Sequence, residues 1–162
     1  MLINSADLMG GSSEPDGFRG FGRVHLEAGM PLNGLDNMAL FVADAFETEL
    51  DEFTTDEYHF DMIPGTDLDL RATLAWIDPP AAIESSIQLL NDLDLTVTGP
   101  DGSTLYRMFS DRADDRNVVE RVIVPVDIVS VGGGTWTVSV SSAGLTTGTQ
   151  SYSLVVTGPI DG

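Results

Sequence analysis

Residues 91–98 read Asn91-Asp92-Leu93-Asp94-Leu95-Thr96-Val97-Thr98. Leu93, Leu95 and Val97 take alternate places, with Asp92, Asp94 and Thr96 between them. Successive side chains of a β-strand point to opposite faces, so this order makes a strand with one apolar and one polar side. The same period recurs on both flanks. Upstream, Tyr58, Phe60 and Met62 alternate with His59 and Asp61, and Leu68, Leu70, Ala72, Leu74 and Trp76 alternate with Asp69, Arg71, Thr73 and Ala75. Downstream, Trp136, Val138 and Val140 alternate with Thr135, Thr137 and Ser139. Tyr152, Leu154 and Val156 close the series. Met38–Val42 and Val118–Val126 are less regular strand candidates. Pro64-Gly65-Thr66, Gly99-Pro100-Asp101-Gly102 and Gly132-Gly133-Gly134 supply turns between them. Only Ala81–Leu90 could be a helix, and it reads better as a long loop with a helical turn. The pattern predicts an all-β fold, an antiparallel jelly roll or β-sandwich of about eight strands. Residues 1–34 are rich in Gly, Ser and Pro and form a mostly irregular extension; residues 35–162 form the sandwich.

Composition narrows the function. The 162 residues carry 26 Asp and Glu against 7 cations, a net charge of −19. All the cations are arginine. Such a surface repels nucleic acid and anionic lipid, so neither nucleic acid nor a membrane is expected as a partner. No apolar run reaches the roughly 20 residues of a membrane-spanning helix. Without Cys there are no disulfides, zinc-thiolate sites or thiol nucleophiles. The opening Met1-Leu2-Ile3-Asn4-Ser5-Ala6-Asp7 lacks a basic stretch and a cleavage site, so it reads as the start of a fragment rather than as a secretory leader. The absence of lysine has two readings, adaptation to high salt or a genome that favours arginine codons.

The catalytic inventory is thin. His25 and His59 are the only histidines. His59 falls on the outward side of its strand, where a solvated histidine is the ordinary reading. No serine sits in a Gly-x-Ser-x-Gly elbow, and Ser12 and Ser13 have no base nearby. A self-contained nucleophilic hydrolase is not expected. Trp76 and Trp136 face inward and read as core.

The carboxylates say more. Asp92 and Asp94 project from one strand face about 7 Å apart, close enough to share a cation. Asp78 follows the strand that ends at Trp76, and Asp111, Asp114, Asp115, Asn117 and Glu120 form a further group. Calcium takes six to eight oxygens from such groups. Asp78, Asp92, Asp94 and Asp115 are the candidate ligands, with a solvated acidic face as the alternative. EF-hand spacing is absent, and magnesium demands stricter geometry.

The phrases themselves resemble a known family. "LRATLAWIDPPA", "LLNDLDLTVTGPDG", "NVVERVIV", "GTWTVSVSS" and "QSYSLVVTG" occur in the order found in the C-terminal β-domain of large secreted subtilisin-like serine peptidases. "LINSAD" and "GFRGFGRVHLEAGM" resemble the last stretch of a subtilase catalytic domain. Gly20, Gly22, Arg23 and Val24 match its closing Gly-x-Gly phrase, while His25 stands where the family has Asn or Asp. The family's Gly-Thr-Ser-Met-Ala nucleophile motif is absent, as are its Asp and His motifs.

The resemblance implies a non-catalytic jelly roll following a protease, in extracellular, calcium-rich surroundings. Its partner would be the subtilase catalytic domain in cis, which it would stabilise or help to engage protein substrate. Two other readings stand beside it. One is a free-standing calcium-dependent adhesive or ligand-binding sandwich. The other is a self-assembling structural protein, in which Phe18, Phe21, Val24 and Leu26 dock onto the sandwich or onto neighbouring copies.

Overall fold

The computed structural model describes residues 1–10, 14–31, 37–44, 48–86, 88–110, 112–131 and 133–161. Ser12, Ser13, Asp111 and the boundary expected at residues 34–35 lie outside them.

The extension contributes a two-residue ladder, β1 (Ala6–Asp7) with β2 (Arg23–Val24), then a 3-10 turn at Leu26–Ala28. The sandwich follows: β3 (Ala39–Ala43), β4 (Glu49–Asp51), β5 (Thr55–Met62), β6 (Leu70–Trp76), β7 (Asn91–Thr98), β8 (Leu105–Tyr106), β9 (Val119–Val124), β10 (Gly134–Leu145) and β11 (Thr149–Gly158). One sheet runs β5-β10-β7-β8. The other runs β3-β11-β6-β9, with β4 also on β11. All the strand pairs are antiparallel. The all-β sandwich read from the alternation is thus the fold observed. The described residues of 81–90 form the expected loop with a single turn at 82–85, Ser85 N–H donating to the Ala82 carbonyl, and Glu84 at φ 65° makes it a β-turn rather than a helical one. One local departure appears. The short helix α1 (Val126–Val129) follows Pro125, which ends β9 two residues before the expected Val126.

The core forms where the inward faces meet. Leu93, Leu95 and Val97 of β7 and Trp136, Val138 and Val140 of β10 pack against Leu70, Ala72 and Leu74 of β6 and Tyr152, Leu154 and Val156 of β11. Trp76 is also buried, and its indole N–H donates to the Asn91 carbonyl at 3.0 Å. Each flank of the sandwich is closed by side chains. On one, Phe41 of β3 packs against Tyr58 and Phe60 of β5, and the buried Tyr152 hydroxyl donates to Asp56 at 2.7 Å. On the other, the Glu120 carboxylate of β9 accepts the Leu95 N–H of β7 at 2.6 Å.

Candidate functional site

Strand β7 leaves one edge open over residues 91–95, because β8 pairs only with Val97 and Thr98. A bare edge exposes amides that need acceptors. Carboxylates supply them. Asp78, on the loop after β6, accepts Leu90 N–H at 2.9 Å and Asn91 N–H at 2.8 Å. Glu120 accepts Leu95 N–H. Asn91 is fully buried between them and ties the end of the sandwich together: its amide donates to Thr147 and Gln150, both at 2.7 Å, and its carbonyl oxygen accepts Thr146 N–H at 2.8 Å.

Closing the edge with carboxylates concentrates negative charge. Asp92 is pushed up to about 6 by burial first and then by Asp94, Asp115, Asp114 and Asp78. Burial also raises Asp94, partly offset by Arg107 and reinforced by Asp114. Glu120, only 3% exposed, is pushed up to about 8, chiefly by burial, against the Leu95 N–H and with the help of Asp94, Asp114 and Asp92. One oxygen of Asp92 (Oδ1) and one of Glu120 (Oε1) are buried without a partner. The expected ligand residues therefore lie within electrostatic reach of one another, but in different states. Asp78 is occupied by two amides. Asp115 is exposed and pairs with Arg116 at 3.5 Å. Asp92 and Asp94 remain as oxygen donors. Asp114 is satisfied by Arg116 N–H at 3.1 Å and the Asn117 amide at 2.7 Å. Among the described residues, no three carboxylate or imidazole groups converge on a single ion position. The alternation read Asp92 and Asp94 correctly as neighbours. It did not separate Glu120, on the inward face of β9, from the solvated acids around it.

The second feature is the outer face of the β3-β11-β6-β9 sheet. Arg71, Thr73, Arg121 and Thr157 occupy outward positions, yet all are buried. The N-terminal extension covers them as a strap. Asn4, itself fully buried, donates to the Thr157 hydroxyl at 2.7 Å and accepts from the Thr73 hydroxyl at 2.9 Å. Arg121 donates to the carbonyls of Ile3 and Ala6 at 2.8 and 2.7 Å. Phe21 lies over its guanidinium, 5.3 Å away. Burial, then the neighbouring Arg71, pushes Arg121 down to about 10, against the pull of Asp7. Arg71 bridges Asp7 of the strap at 3.2 Å and Asp69 at 3.1 Å. Glu14 accepts Ser110 N–H at 3.0 Å, fastening the strap to the connection between β8 and β9.

Two glycines are required for this docking. A Cβ at Gly22, whose φ is +97°, would fall 2.0 Å from the Asp7 carbonyl oxygen. One at Gly29 would fall 2.3 Å from the Ser5 Cβ. Of the apolar groups in the strap, Phe21 is partly covered, while Phe18, Val24 and Leu26 stay exposed. His25 pairs with Asp7 at 2.7 Å, and the exposed His59 bonds the Thr137 hydroxyl at 3.1 Å. Among the described residues, neither histidine is hydrogen-bonded to a serine.

The chain matches no protein-family model and no curated protein.

Proposed function

We propose that this chain is the non-catalytic C-terminal accessory domain of a secreted subtilisin-like serine peptidase, carrying the last stretch of that enzyme's catalytic domain, and that calcium supports its fold. The strap carries this reading. The stretch whose wording resembles the end of a subtilase catalytic domain packs on the sandwich through buried polar contacts at Ile3, Asn4 and Ala6. A junction built this way fixes a preceding body rigidly to the sandwich, which is what a stabilising accessory domain requires. In this role Arg71, Arg121 and Asn4 anchor the junction and no residue of the chain performs cleavage.

Calcium in this reading is held by Asp92 and Asp94 of β7, with water completing its oxygen shell. The partnerless Oδ1 of Asp92, in an acidic cluster, suits a hard cation. Bound calcium would supply neutralising charge there and would relieve the repulsion among the carboxylates.

The test is the coding sequence upstream of Met1, together with the enzyme it encodes. A Gly-Thr-Ser-Met-Ala phrase is expected there. Deleting residues 37–162 from that enzyme is expected to shorten its thermal half-life while leaving its nucleophile in place. An upstream sequence without any subtilase motif, or casein hydrolysis through a serine of this chain alone, would overturn the reading.

A further inference from the structure

Three loops meet at one end of the sandwich: residues 51–54 between β4 and β5, residues 77–86 and 88–90 between β6 and β7, and residues 142–149 around the β10–β11 hairpin. Their proximity is direct. Glu52 N–H donates to the Gly148 carbonyl, Ser142 hydroxyl to the Asp51 carbonyl, and the Gln150 amide to the Ile77 carbonyl. Each of the first two loops turns a large apolar side chain into water. Phe53 is 74% exposed, Ile77 90% and Ile83 96%. Phe53 sits at φ 59°, and Glu84, next to Ile83, at φ 65°, conformations that non-glycine residues rarely adopt.

Two open cavities are formed by residues of these loops and the strands next to them. One, of about 500 Å³, is lined by Trp76, Ile77, Pro79, Thr149 and Glu49. The other, of about 350 Å³, is lined by Glu52, Leu89, Leu90, Asp92 and Gly144. Residues 49–54, 77–92 and 142–149 carry Glu49, Asp51, Glu52, Asp78, Glu84 and Asp92, and no Lys, Arg or His. Exposed apolar side chains near these grooves, with carboxylates outnumbering the adjacent cation Arg116, which lines a neighbouring cavity with Leu89 and Asp92, call for a partner that offers apolar side chains and positive charge together.

We propose that this end of the sandwich is a docking surface for a cationic, apolar segment of polypeptide, its apolar side chains seated beside Phe53, Ile77 and Ile83 and its Lys or Arg groups facing the carboxylates. The proposal stands apart from the protease reading, since it uses none of the strap.

The probes are a short alternating Lys-Leu peptide and its Lys-Ser counterpart, titrated into the whole chain in EDTA at moderate salt. Binding is read by calorimetry and by tryptophan emission, with Trp136→Phe as the background that isolates Trp76. The Lys-Leu peptide is expected to bind at least about tenfold more tightly than Lys-Ser. The combined Phe53→Ser, Ile77→Ser and Ile83→Ser variant is expected to lose that difference. These side chains are exposed, so the variant should keep the wild-type circular dichroism spectrum. Val131→Ser, 86% exposed at the opposite end, is expected to change nothing. Equal binding of the two peptides would reduce the surface to plain charge and overturn the proposal. So would a triple variant that binds both as the wild type does. Peptide-free dimerisation abolished by the triple variant would assign the surface to a second copy instead, and would equally overturn it.

Discussion

Glu120 is the residue whose placement and charge pull hardest against each other. Its carboxyl ionises near 4.5 when unfolded and near 8 when folded. The folded chain therefore holds a proton that the unfolded chain releases between those values. The stability this one group contributes is undiminished below pH 4.5, falls as pH rises through the interval, and levels off above 8. Glu120→Gln keeps an acceptor for the Leu95 N–H and removes the charge. In EDTA it is expected to flatten the fall and to raise stability at pH 8 by on the order of 3 kcal/mol. Urea unfolding across pH 4–9 reads this directly. A variant no more stable than the wild type at pH 8 would mean that the buried carboxyl is compensated by a group outside this cluster. Asn91 makes the contrasting case. All its side-chain groups are paired, so Asn91→Ala leaves the Thr146 amide without its acceptor and is expected to cost about 2–4 kcal/mol. Neither role was legible in the sequence. Asn91 reads as the polar first residue of a strand, and Glu120 reads as one more surface acid, because both acquire partners from segments 25 or more positions away.

At the scale of elements, period-two alternation disclosed the strands because it records burial on one side of a sheet, a property each strand carries within itself. It found β5, β6, β7, β10 and β11 and placed both tryptophans inward. It could not disclose the strap. Arg71, Thr73, Arg121 and Thr157 carry the polar character of a wetted face, and only the return of residues 3–7 buries them, across separations of 64 to 153 positions. That contact depends on a few points. Asn4→Ala strands the Thr73 and Thr157 hydroxyls in a buried site and is expected to destabilise by about 2 kcal/mol. Gly22→Ala cannot be accommodated without moving the Asp7 backbone, so it should unseat the β1–β2 ladder while the core strands persist. Hydrogen exchange separates the two levels: the amides of Ser5, Ala6 and His25 should lose protection in Gly22→Ala while those of Leu93–Val97 keep theirs. Simultaneous loss in both regions would make the strap part of the cooperative core rather than a docked layer.

For the whole molecule the governing quantity is the net charge of −19. Mutual repulsion among carboxylates weakens a compact state, and salt screens it over about 10 Å at 0.1 M. The unfolding midpoint is therefore expected to climb with NaCl, and to do so in EDTA as well as in calcium. Specific binding is distinguished from screening by a crossing of stabilities. Calcium present at a hundred times its dissociation constant adds about 2.7 kcal/mol. For a chain of this length that is a shift of about 5–10 °C, and EDTA should remove it. The Asp92→Ala, Asp94→Ala double variant loses the ion's oxygens but also the repulsion they create. In EDTA it should melt at or above the wild type, because burial and neighbouring carboxylates already raise both acids. In calcium the order should reverse, with the wild type above the variant. Sodium chloride cannot produce that reversal, since it screens both proteins in the same direction. A midpoint indifferent to EDTA, with the double variant above the wild type in both media, would leave the acidic edge as an uncompensated cost of closing strand β7.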